Sequence, residues 1–126
     1  MSIPSLFFRT AILLAIAGIL LGIFMGINQD FRMAHMHAHL ILLGWVSFMA
    51  YGLYYRTIAA AARGLVKIHY VVALVGVIVE AVGIMGTEWG NPFFDPFRII
   101  GAFIVAVGFV LFAIIVFATR ETAAQR

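Results

Sequence analysis

The polar residues of this chain are gathered into three short connections, "NQDFRMA", "RTIAAAARGLVK" and "EWGNPFFDP", and into the two ends. Between them run four apolar stretches, Leu6 to Ile27, Met36 to Tyr55, Ile68 to Thr87 and Phe97 to Ala118. Each is about 20 residues long, enough for a helix to cross roughly 30 Å of hydrocarbon. The pattern predicts one domain over residues 1–126, an all-α integral membrane four-helix bundle in a lipid bilayer. Asn91-Pro92 and Asp95-Pro96 mark turns and a helix start near Phe97. Connections this short hold no soluble catalytic domain, so function must reside in the bundle or at its rim.

Composition agrees with the pattern: 65% of the 126 residues are hydrophobic, 10% are charged and the mean hydropathy is +1.14, values that exclude a soluble domain. The first stretch exceeds the roughly 7 to 15 apolar residues of a secretory signal core and has no small-x-small site before Asn28, so it is expected to stay in the mature protein. Arg9, Arg56, Arg63, Lys67, Arg120 and Arg126 lie at the amino end, the second connection and the tail, against Arg32 and Arg98 on the other side. This bias predicts two cytoplasmic termini in a bacterial inner membrane. The net charge of +3 comes from the same signal and does not indicate nucleic-acid binding. With no cysteine, disulfides, iron–sulfur clusters and c-type haem attachment are excluded, and any metal is held by nitrogen or oxygen.

Gly18, Gly22 and Gly26 form a bare stripe on the first helix, suited to close packing on a neighbouring helix of the same chain or on another subunit. The alanine-rich "TIAAAAR" reads as the cytoplasmic end of the second helix.

The chemistry is concentrated in "HMHAH", His35, His37 and His39, near the outer face where the second helix begins. At about 100° per residue His35 and His39 share a face, about 40° apart, while His37 points roughly the opposite way. Three imidazoles entering a membrane are costly unless paired or coordinated. They suit haem ligation, chelation of zinc or copper by an i, i+4 pair, or proton shuttling. The apolar and aromatic continuation "LILLGWVSFMAYGLYY" favours a flat macrocycle between helices over a cation path.

The run "HAHLILLGWVSFMAYGLYYR", His37 to Arg56, resembles the tenth helix of subunit I of haem–copper oxidases, especially the cbb-type branch and the related nitric oxide reductases. "KIHYVVALVGVIVEAVGIMG" is similar to the helix that follows, and the four spans would correspond to the last four of the family's twelve. The resemblance implies haem b as cofactor, with His37 on the high-spin and His39 on the low-spin haem of that pattern. The family's copper site and its second low-spin ligand come from helices that this chain lacks, so one chain cannot be such an oxidase. Four helices equal one of the family's three arcs, which implies a homo-oligomer, a homotrimer first, with haem held between His39 of one chain and His37 or His35 of its neighbour.

Other polar positions have plainer readings beside functional ones. Arg32 and Arg98 flank the outer side and can hold propionates or simply anchor at the interface. Trp45 lies too deep for an aromatic belt and can pack on a porphyrin or in the core, whereas Trp89 belongs to the outer belt and Tyr54 and Tyr55 to the inner one. Met33 and Met36 beside His35 suit Cu(I). His69 is expected at the interface beside Lys67, and Glu80, well inside the third helix, as a proton carrier, a partner to a liganding histidine or an intersubunit contact. The sequence thus points to a haem b protein for electron transfer or diatomic gas binding, with an unidentified redox partner and with catalysis left open. Its rivals are a copper or zinc binding or transport protein and a cofactor-free accessory or assembly subunit.

Overall fold

The computed structural model describes residues 2–57 and 63–119, and what it describes is helical with short turns. Four helices are long and apolar enough to span a membrane. The first is Ile3–Asn28, the second Ala34–Thr57, the third Arg63–Glu88 and the fourth Asp95–Ala118. They run a few residues beyond the apolar stretches because their ends are formed by caps and turns. Prolines sit in the first turns of the first and fourth helices, where a missing N–H leaves nothing unpaired. The third helix ends in a Schellman pattern, with Asn91 N–H donating to Gly86 O, Gly90 N–H to Thr87 O, and Gly90 at φ 82. Arg120, Arg126 and most of "TIAAAAR" lie outside the described residues.

The bundle is built from two antiparallel helix pairs, each knit through glycines. Between the first and second helices, Gly18 faces Ile41, Gly22 faces the His37 ring, Gly44 faces Leu14 and Gly52 faces Phe7 and Phe8. Gly18 and Gly22 therefore pack inside the chain, while a side chain at Gly26 would meet open space. Between the third and fourth helices, Gly76 faces Val105, Glu80 faces Gly101, Gly83 faces Arg98 and Gly86 faces Phe94. At Gly83 and Gly101 the neighbour is backbone, so these two helix axes approach closely. In a bilayer, lipid is as apolar as leucine, and such small-residue contacts supply the packing that hydrophobic exclusion cannot.

The second helix is not uniform. Its Leu40–Val46 segment is π-helical, and Ser47 donates both its N–H and its hydroxyl to the Leu42 carbonyl. Isolated π segments within α-helices occur frequently at functional sites. On a regular α-helix His39 and Tyr55, sixteen residues apart, would point about 160° from each other. The wider π turn lags behind that rotation and brings both residues to the third helix.

Candidate functional site

Where the two helix pairs meet, the second helix faces the third, and three polar pairs line this seam. His35 Nδ1 lies 3.8 Å from Glu88 Oε1, His39 Nε2 lies 3.6 Å from Glu80 Oε1, and Tyr55 Oη lies 2.8 Å from His69 Nδ1. The first two are charge-pair distances rather than hydrogen bonds. Between them and the third pair lies an apolar stretch with a cavity of about 10 Å³, close to the least space that holds one water. Leu43, Tyr51, Val77 and Phe109 are among its walls.

At the histidine end the imidazoles divide as the helical spacing predicts. His35 and His39 stand edge to face, ring centroids 4.7 Å apart, on the seam toward the third helix. His37 lies on the other side against the first helix, where its Nδ1 is 2.7 Å from Gly18 O and its ring fills the notch left by Gly22. A carbonyl oxygen only accepts, so Nδ1 of His37 carries the hydrogen, and in a neutral ring Nε2 is left with a free lone pair. His39 likewise donates Nδ1–H to His35 O at 2.9 Å, but its Nε2 faces the Glu80 carboxyl rather than open space. A histidine fixed as His37 is, one nitrogen donating to a carbonyl and the other bare, is the usual state of a metal-ligating imidazole. Among the described residues, no group of three or more His, Cys, Asp or Glu side chains is placed to hold a metal ion.

Glu80 is 7% exposed, and its Oε2 is buried without a hydrogen-bond partner. Because Gly101 brings the fourth helix onto the Glu80 backbone, the carboxyl is turned to His39 on the second helix. Glu80 thus lies beside His39, against its Nε2.

The remaining candidates lie further out. Trp45 is 40% exposed, on the outside of the bundle and not in its core. Arg98 is half-buried in the first turn of the fourth helix, and Met33 is buried while Met36 is half-buried. Arg32 is engaged by Asp30 in the exposed turn before the second helix, with Nε 3.0 Å from both carboxylate oxygens and an ion pair of 2.6 Å. That guanidinium, chiefly through its side-chain hydrogen bonds, lowers the Asp30 pKa from 3.8 to about 2. A depressed carboxyl pKa contributes stability above the ordinary value and loses it as pH falls through the lowered one. The Asp30 carboxyl carbon should accordingly titrate near pH 2 by NMR and return toward 3.8 in Arg32→Gln. A wild-type midpoint at 3.8 would show that the pair does not form.

Two expectations are corrected. His69 is not a bundle-surface residue: it is fully buried, its ring enclosed by Phe7, Tyr51, Tyr55 and Phe112, and its Nε2 has no partner. Tyr55 is not part of an aromatic belt either, being buried at 6% exposure against that imidazole. His69 and Glu80 are eleven residues apart and so within about 20° on one helical face, which places them together but does not say that the face is buried.

No family model, curated protein or solved structure matches the chain.

Proposed function

We propose that this chain is a membrane haem b protein, with His37 and His39 as iron ligands, serving electron transfer or the binding of a diatomic gas such as O2 or NO. The observation that carries the reading is the state of His37, which donates Nδ1–H to the Gly18 carbonyl and keeps Nε2 bare, with His39 anchored likewise through Nδ1 on the opposite side of the helix and its Nε2 3.6 Å from Glu80. The resemblance of His37 to Arg56 to an oxidase helix supports the same choice of cofactor.

The donor set fits haem. His37 is the stronger axial ligand, because His39 Nε2 looks onto Glu80 and must turn from it to bind iron. Arg98 is the better placed partner for a propionate, Arg32 being held by Asp30. Bound haem would supply one-electron chemistry or an iron open to gas, and bis-histidine ligation favours the first. The chain supplies ligand orientation, an apolar surround and a carboxyl beside His39.

Ligands that face apart in one chain are brought to a common iron by a second copy. The proposed assembly, following the resemblance to a family of three four-helix arcs, is a homotrimer in a bacterial inner membrane, with the histidine end outside, both termini cytoplasmic, and haem between His39 of one chain and His37 or His35 of the next. The test is haem content together with the mass of the detergent-purified particle. Equimolar haem in an oligomer is expected, and equimolar haem in a monomer would overturn ligand sharing. Colourless protein rich in copper or zinc would overturn the haem reading in favour of the metal rival. Cofactor-free protein whose partner binding survives removal of both histidines would favour an accessory subunit.

A further inference from the structure

The Tyr55–His69 pair stands at the far end of the seam from the histidine cluster and has no part in the haem reading. Its geometry is unusual for a structural contact. The phenol and Nδ1 are 2.8 Å apart, the imidazole is fully buried, and Nε2 has no partner. An apolar side chain at position 69 would fill the same space without leaving a polar atom unpaired, and an unsatisfied buried group of this kind is uncommon in native proteins. What the imidazole adds is a base held at hydrogen-bond distance from a phenol in a dry place.

The surroundings of the ring are aromatic. Phe112 stacks on His69 with centroids 5.7 Å apart at 22°, Tyr51 meets it edge-on at 4.5 Å, and Phe7 lies at 5.5 Å. Aromatic faces within about 6 Å attract a cation electrostatically, most strongly where water is excluded. The Phe112 and Phe7 faces offset part of the cost that burial imposes on an imidazolium here.

We propose that Tyr55 is a redox-active tyrosine and that His69 is the base that receives its proton. With Tyr55 donating to Nδ1, removal of one electron from the phenol by a strong one-electron oxidant breaks the O–H bond. The proton forms an N–H bond at Nδ1, and the products are a neutral phenoxyl radical, imidazolium and an oxidant reduced by one electron. Burial of Tyr55, with Tyr54 against it at 5.6 Å, shields the radical from water and from small reductants.

The test uses the full chain in detergent with a ruthenium polypyridyl sensitiser, persulfate as the electron acceptor, and electron paramagnetic resonance after illumination. A tyrosyl signal is expected in wild type, retained in Tyr51→Phe and Tyr54→Phe and lost in Tyr55→Phe. His69→Asn keeps a hydrogen-bonding amide near Nδ1 but no base, and it too should lose the signal while retaining wild-type helicity and elution. A signal that persists in Tyr55→Phe, an undiminished signal in His69→Asn, or no tyrosyl signal in wild type would overturn the proposal. None of these outcomes depends on pigment, so failure of the haem reading and failure of this one are separable.

Discussion

Gly101→Ala is expected to separate the third and fourth helices and to lower the stability of the bundle by about 3 kcal/mol or more, the upper end of what overpacking costs. A Cβ at this position falls on the backbone of Glu80, which cannot rotate out of the way as a side chain can. Gly83→Ala meets the Arg98 backbone and should behave alike. Gly26→Ala is the control, because the new methyl group enters open space and alanine is the better helix former. Unfolding in mixed detergent measures all three. Equal midpoints for Gly101→Ala and wild type would show that the close helix pair does not exist.

The second large effect is expected from the proposed haem ligands. His37→Ala should abolish the pigment, since it removes the imidazole whose Nδ1 is anchored on Gly18 and whose Nε2 is bare. Gly22→Leu should reproduce that loss with every histidine intact, because even a Cβ at position 22 would come within 2.9 Å of the His37 ring. His39→Ala is expected to keep haem but leave iron open on one side, which CO binding would report. Glu80→Gln should leave haem bound while shifting its reduction potential, as the carboxyl beside His39 is replaced by a neutral amide. Full pigment in His37→Ala would assign the iron elsewhere.

Much of the fold was legible in sequence, because about twenty apolar residues between polar connections have few alternatives to a spanning helix. The division of the histidines was legible for an equally simple reason: at about 100° per residue, His37 must part from His35 and His39. Two features were not. The partner of Glu80 depends on the register between the second and third helices, which no pattern within either helix fixes. The burial of Tyr55 and His69 depends on the π segment Leu40–Val46, which turns Tyr55 to the same side as His39. A regular helix would turn it away, and nearby Arg56 and Lys67 then make a membrane-interface reading natural. The glycines of the third and fourth helices were visible too, yet their interlocking appears only when both are set antiparallel, with Gly76 and Gly83 on one and Gly101 and Gly108 on the other.

The seam between the helix pairs thus concentrates what an apolar bundle otherwise avoids. Imidazoles meet carboxyls at one end and a phenol meets an imidazole at the other, with apolar packing between them. Buried groups of this kind are retained in membranes for function far more often than for stability.

The most direct test of the central claim is the absorption spectrum of the detergent-purified protein, oxidised and dithionite-reduced, with and without CO, alongside total metal analysis. A haem b spectrum with equimolar iron is expected. A sharp reduced α-band that CO leaves unchanged would assign electron transfer through bis-histidine iron, and a CO-sensitive Soret band would assign gas binding at an open site. A protein with no haem bands would contradict the haem reading.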